Sequence, residues 1–250
     1  MQELVAGVCR ALPKPWNAGR GRRRALGLYR AVEVACMYLR HNTTQELLAD
    51  LIGVSQATVS RIVAILVPVI RSVLAEYVPD AADAIAMVEG RVVLVDGTIT
   101  PCWSYAEHPD LWSRKKGTTG FNAQLVSLLD GSPIYISEPL PGCTHDAVAF
   151  TRTRLADIIQ HSGGAIADKG YQGHVAATPR KVPRKGALSK RDKECNAEIS
   201  ALRSPIERVV AHFKSWRILH TDYRRPYRTY RDTYDAVRGL FFFSMLFRFE

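Results

Sequence analysis

Cysteine is sparse and unpaired in this chain: Cys9, Cys36, Cys102, Cys143 and Cys195 are scattered over 250 positions with no Cys-x-x-Cys spacing. An odd, dispersed set excludes a disulfide framework or a zinc finger and suits a reducing compartment. Long hydrophobic runs are missing too. The longest, Leu240–Phe247, is interrupted by Ser244 and falls far short of the ~20 residues a membrane helix needs. No apolar leader opens the sequence, so a soluble cytoplasmic protein without a membrane partner is expected. Neither an internal repeat nor a low-complexity tail is visible. Acidic side chains are the scarcer charge, with 24 Asp and Glu against 34 Lys and Arg and a net charge of +10. Hydrophobic residues make up 47% of the chain, enough for a packed core, which excludes disorder throughout.

The charge is unevenly placed. Residues 1–71 hold ten basic and four acidic side chains (+6), and residues 72–179 hold seven and twelve (−5). Residues 180–231 hold fifteen and five (+10), and 232–250 hold two and three (−1). An acidic centre between basic arms suits a protein that acts on a polyanion, with cations gripping phosphates and carboxylates doing something else. Chance clustering on solvated faces is the plainer alternative.

The first 78 residues read as a small all-α DNA-binding domain. An irregular basic arm over 13–24 precedes a helix over about 25–40. Thr43-x-x-Glu46 has the form of a capping box, and Gly53 marks a turn. Ser55 is placed to cap a further helix that runs to about Ile70, disturbed by Pro68. This is helix-turn-helix spacing, and it leaves Gln56, Ala57, Thr58, Ser60 and Arg61 facing outward, where a recognition helix meets base edges. Arg22, Arg23 and Arg24 supply phosphate or minor-groove contacts on this reading. A helical hairpin with a solvated polar face is the alternative.

Residues 79–250 read as a mixed α/β domain. The β-branched run 91–95 is expected to be a buried strand that ends in a turn at Asp96-Gly97, and 122–129 with 133–138 a hairpin. A helix is expected over 146–160, a strand over 164–167 running into Asp168, and helices over 196–203, 205–218 and 230–247. Two aspartates at the ends of neighbouring strands would converge on one point, where their repulsion calls for a hard cation such as Mg²⁺ or Mn²⁺. Glu207 is a candidate third carboxylate, although Ser204-Pro205-Ile206-Glu207 is itself a capping box. Asp96-Gly97 and Asp168-Lys169-Gly170-Tyr171 have turn readings of their own. Asp146 either joins the acids or opens its helix, and His145 is a further accessory candidate.

The run from Asp96 to Lys214 resembles the DDE transposases of bacterial insertion sequences, in the group numbered five and related to Harbinger-type transposases. The matching pieces are Asp96-Gly97-Thr98, Gly142-Cys143-Thr144-His145-Asp146, Asp168-Lys169-Gly170-Tyr171, and Arg203 followed by Glu207 and Lys214. Ser200 stands where the pattern has a tyrosine. The helix-turn-helix over 43–70 is similar to the first domain of the same group.

The resemblance implies a ribonuclease-H-like catalytic domain in which Asp96, Asp168 and Glu207 hold two Mg²⁺ ions, with Mn²⁺ as a substitute. It further implies hydrolysis at the ends of an element and transfer of the freed 3′-hydroxyl into target DNA. Arg203 and Lys214 would bind DNA phosphate, with surface ion pairing as the alternative for both, and Lys169 and the run Arg114-Lys115-Lys116 are weaker candidates of the same kind. Trp216 and Tyr171 are candidates for stacking on splayed bases, with core packing the stronger reading for Trp216. The expected partners are the double-stranded terminal repeats and target DNA, with at least a homodimer to bring two ends together, in a nucleoid-associated protein. Two alternatives stay open: a catalytically silent DNA-binding regulator, and a ribonuclease-H-like nuclease without strand transfer.

Overall fold

The computed structural model describes residues 1–18, 23–175, 177–183 and 186–246. In chain order the helices and strands are α1 (Gln2–Ala11), α2 (Leu28–His41), α3 (Gln45–Ile52), α4 (Gln56–Leu74), α5 (Ala81–Val88) and β1 (Val92–Pro101). There follow β2 (Trp112–Ser113), β3 (Thr118–Leu128), β4 (Pro133–Ile136), β5 (Leu140–Pro141), α6 (Asp146–Arg152) and α7 (Leu155–His161). The last are β6 (Gly164–Ala167), α8 (Lys190–Lys214) and α9 (Tyr230–Leu246). The chain forms two compact units, Met1–Val78 with Lys214–Glu250, and Pro79–Phe213. The first therefore includes α9, which a cut at residue 78 alone assigns to the second.

In the helical unit α4 is central and packs against α1, α2, α3 and α9. Its apolar stripe Val59, Ile62, Val63, Leu66, Val67, Ile70 and Leu74 is buried. The stretch Gln56–Val88 is long and apolar enough to resemble a membrane span. Burial of that stripe among helices accounts for the apolarity of α4. Pro68 lies inside α4 without ending it, so the helix outruns its expected end at Ile70. The apolar run of α9 is likewise core, with Leu240, Phe241, Phe242 and Phe243 buried. Arg71 on α4 meets Asp232 on α9 at 2.6 Å.

Two capping residues set the helix-turn-helix. Thr44, and not Thr43, caps α3 by accepting a hydrogen bond from the Leu47 N–H, so the expected capping box is shifted by one residue and Glu46 is not its partner. Gly53 ends α3 in the left-handed region at φ 74°. Ser55 then caps α4 through the Thr58 N–H. Ser55→Ala is expected to cost about 1 kcal/mol of stability and Thr43→Ala next to nothing, as chemical denaturation would measure.

The α/β unit is built on a mixed sheet of order β2-β3-β1-β6, with β4 and β5 pairing β3. The hairpin partners β1 and β3 run antiparallel from Val93↔Leu128 to Pro101↔Gly120. Strands β1 and β6 run parallel, from Val92↔Gly164 to Val95↔Ala167. Val93, Val95, Ala165 and Ala167 join Val88 of α5 and Leu155 and Ile158 of α7 in one core.

Three expectations change here. The first strand does not end at Asp96: it continues through Thr98, Ile99 and Thr100, because β3 pairs with it along its whole length. The helix expected over 146–160 breaks into α6 and α7 at Arg154, which has φ 63°. The two helices expected either side of Ser204 are one, α8, with Pro205 inside it. Ser204 is therefore mid-helix and caps nothing, which removes the capping reading of Glu207. Burial of Ile206, Val209 and Phe213 holds the segment helical across the proline.

Candidate active site and nucleic-acid interface

The register of β1 against β6 ends at Val95↔Ala167, so the next residue of each strand is an aspartate, Asp96 and Asp168. Alternation along the strands puts both on the face opposite the core formed by Val93, Val95, Ala165 and Ala167. The Asp96 carboxylate accepts a hydrogen bond from the Gly97 N–H at 2.9 Å and lies 3.5 Å from the Arg203 guanidinium of α8. Burial pushes its pKa up, against the opposing pull of Arg203 and the Gly97 N–H. Asp168 leaves its strand and accepts the Gly170 N–H at 2.6 Å, closing a short 3₁₀ turn over Lys169–Tyr171.

A third carboxylate arrives at the start of α6. Asp146 Oδ2 is 2.6 Å from the Lys115 ammonium, which is also 3.8 Å from Asp168 Oδ2. Burial disfavours charge on Lys115, yet the hydrogen bond and the fields of Asp146, Asp168 and Asp96 outweigh it and raise its pKa. The fit is tight: a Cβ on Gly170 would stand 2.2 Å from Asp146 Oδ2 and 2.9 Å from Asp168 Oδ1. Beside Asp146 a cleft of about 250 Å³ is lined by Gly97, Asn122, Thr144, His145 and the basic run Arg114-Lys115-Lys116.

The donor chemistry suits a hard divalent cation, since all three aspartates offer carboxylate oxygens and a lysine ammonium already lies between two of them. Among the described residues, no three His, Cys, Asp or Glu side chains converge on one metal-sized point. Lys115 is what joins Asp146 to Asp168.

The remaining candidates are placed as follows. Arg203 reaches Asp96 and is 12% exposed, with its Nε buried and lacking a hydrogen-bond partner among the described residues. Glu207 is exposed one helical turn further along the same side of α8. Lys214 is the last residue of α8, about two turns beyond Glu207. His145 precedes α6, exposed on the cleft wall, and Lys169 is exposed in the Asp168 turn. Tyr171 is fully buried, which removes it as a stacking surface for bases. Trp216 is half-buried with the Arg40 guanidinium 5.3 Å from its ring centre.

Sequence reasoning missed a buried polar line behind the acids. The Tyr171 hydroxyl donates to Gln124 Oε1, Gln124 Nε2 donates to Asn122 Oδ1 at 2.8 Å, and Asn122 Nδ2 donates to the Thr144 carbonyl at 2.9 Å. Burial and the three aspartates raise the Tyr171 pKa well above its ordinary value, so the hydroxyl keeps its proton. A polar Asn-x-Gln pair on one strand face was the only available signal, and alone it reads as solvated.

In the helical unit, Gln56, Ala57 and Arg61 are exposed, and Thr58 and Ser60 are half-buried. Gln56 donates to Gln45 across the turn at 2.9 Å. Arg23, Arg24 and Arg61 line one groove with Ser55 and Thr58 at the start of α4. The Arg24 guanidinium stacks 4.1 Å from the Trp16 ring centre and donates to the Trp16 carbonyl at 2.8 Å. Arg22 lies outside the described residues.

Comparison with known proteins matches both the helix-turn-helix and the α/β region. Residues 95–240 match the family described as DDE superfamily endonuclease, and residues 34–76 match the helix-turn-helix of DDE superfamily endonuclease. A protein of Microchaete diplosiphon, named as a probable transposase for insertion sequence element IS702, is 26% identical over 238 residues. That match covers 90% of this chain and 83% of the relative. A protein of Streptomyces albus G, named as a putative transposase for insertion sequence element IS112, is 28% identical over 202 residues. It covers 80% of this chain and 74% of the relative. Divalent-metal dependence follows from the family, and DNA binding from its helix-turn-helix. With Asp96 and Asp168 side by side at the sheet and a helix-turn-helix before them, the chain belongs to the DDE superfamily endonucleases.

Proposed function

We propose that this protein is a transposase that recognises the terminal repeats of an insertion element and cuts DNA there, then joins the freed end to target DNA. The observation that carries the reading is that Asp96 and Asp168 each follow the last paired residues of two adjacent parallel strands, with Asp146 linked to Asp168 through Lys115, within a DDE endonuclease domain. The names of the two relatives support it.

Asp96 and Asp168 would hold Mg²⁺, two ions in the working site with Mn²⁺ as a substitute, and Glu207 would complete the set from α8. Such ions, when bound, activate the attacking oxygen and stabilise the leaving one. The protein's part is to hold carboxylates at fixed positions and to bring phosphate to them. Arg203 lies beside Asp96 and is buried enough to act on a phosphate with little screening. Lys169 and the run Arg114-Lys115-Lys116 would add positive charge beside the acids, Lys214 would bind phosphate, and His145 would serve as an accessory hydrogen-bonding group. Gln56, Thr58 and Ser60 would read base edges, and Arg61, Arg23 and Arg24 would hold the flanking backbone. Bringing two element ends together implies a homodimer or larger assembly. The cytoplasm, at the nucleoid, is its proposed location.

The test is incubation with a supercoiled plasmid that carries the inverted repeats flanking this coding sequence. Expected are Mg²⁺-dependent cuts at the repeat ends and recoverable joined products. Cuts without joined products would leave a nuclease. No cuts with either Mg²⁺ or Mn²⁺, despite repeat binding, would leave a regulator. Arg61→Ala is expected to weaken repeat binding about 10-fold and to flatten the salt dependence by about one counterion, as a titration over several salt concentrations would read. Unchanged affinity would remove Arg61 from the interface.

A further inference from the structure

The turn that carries Asp168 and the turn that carries Asp146 come from different parts of the chain, yet one buried line of hydrogen bonds joins them. Tyr171 ends the 3₁₀ turn that Asp168 caps. Its hydroxyl meets Gln124, Gln124 meets Asn122, and Asn122 meets the carbonyl of Thr144, two residues before Asp146. Gln124 and Asn122 sit on β3 opposite Gly97 and Ile99 of β1, the strand that holds Asp96. Gly97 leaves room for this approach: a Cβ there would stand 3.0 Å from the Tyr171 hydroxyl, 3.1 Å from Gln124 Nε2 and 3.4 Å from Asp146 Oδ1.

We propose that Gln124, with Asn122 and Tyr171, is the positioning device that sets the spacing of Asp146 and Asp168 against Asp96 for divalent-cation binding. The proposal rests on the metal-site reading given above. Gln124 suits the role by chemistry. Its amide accepts at one end and donates at the other, so it relays between a hydroxyl donor and an amide oxygen without net charge. Its backbone N–H is also held, by Ser137 Oγ at 3.0 Å, and Gln124 is fully buried. A leucine of similar size would leave the Tyr171 hydroxyl and the Asn122 oxygen unpaired in the interior. The ring of Tyr171 packs against Phe150 of α6, with centroids 6.4 Å apart, so removing its hydroxyl alone preserves the packing. Hydrogen-bond partners just outside a metal's own ligands commonly change affinity by about 10–100-fold when removed.

The test measures Mn²⁺ binding to the full chain by electron paramagnetic resonance, without DNA or turnover. Tyr171→Phe and Asn122→Ala remove the two ends of the line, and the pair is combined in a double variant. Each single variant is expected to weaken Mn²⁺ binding about 10-fold. The double variant is expected to lose little more than either, because the line is broken already at the first cut. Circular dichroism and thermal melting record folding separately, and Tyr171→Phe, which keeps the ring, guards against a failure of Asn122→Ala to fold. Wild-type affinity in the folded variants, or losses that multiply in the double variant, would overturn the proposal. No Mn²⁺ binding by the wild-type chain would instead overturn the metal-site reading on which it rests.

Discussion

Asp96→Asn is expected to abolish metal-dependent cleavage, by roughly 10³-fold or more, while binding to a terminal repeat stays within about twofold of wild type. The change keeps the shape of the side chain and removes only its charge, and the helix-turn-helix proposed to recognise the repeat lies in the other unit. Stability should move the other way. Burial raises the Asp96 pKa, and Arg203 and the Gly97 N–H only partly oppose it. A raised folded-state pKa means that this group's contribution is most favourable below its unfolded pKa and is lost as pH rises through the folded one. At neutral pH the ionised carboxylate therefore weighs against folding, and asparagine removes that weight. Without metal, the variant should melt no lower than wild type near pH 7, with any advantage vanishing in acid. Cleavage at the wild-type rate would remove Asp96 from the reaction. A large drop in melting temperature would show that the variant had failed as a fold.

The second large effect comes from one methyl group. Gly170→Ala would place a Cβ 2.2 Å from Asp146 Oδ2 and 2.9 Å from Asp168 Oδ1, closer than real atoms approach. Gly170 is not among the residues with positive φ, so the added methyl acts through space and not through the backbone. One or both carboxylates must move. A displacement on the order of 1 Å at a reacting centre costs about 10²-fold in rate, and that is the loss expected in a repeat-cleavage assay. Repeat binding, measured on the same preparation, should not change. Gly27→Ala serves as the comparison, because nothing lies within 4 Å of its added Cβ and its φ is negative. Its cleavage rate should match wild type, and an equal loss in both variants would detach the effect from the carboxylates.

Much of the candidate site was legible before folding because its signals are local. A β-branched run ending near Asp96 and a short apolar run ending at Asp168 each announce a strand that presents an acid. Gly53 and Ser55 announce the turn and cap between α3 and α4, since a left-handed bend and an orphan N–H each need a particular neighbour. Short-range signals also misled. Asp96-Gly97 has turn composition, but pairing with β3 carries the strand through it. Ser204-Pro205 has the composition of a helix start, but burial of Ile206, Val209 and Phe213 keeps α8 continuous.

Local patterns alone settle the two kinds of unit, the helix-turn-helix, and the runs that lead to Asp96 and Asp168, because helix and strand periodicity and capping are properties of neighbouring residues. Only the fold puts β1 and β6 parallel and level, so that the two aspartates follow adjacent strands at the same height. It decided that Lys115 bridges Asp146 and Asp168, and that Gln124 is buried between two site turns instead of facing water. It also decided that the last helix joins the first four rather than the sheet. Each of these depends on which surfaces bury one another across long stretches of chain, and no local pattern of residues encodes that choice.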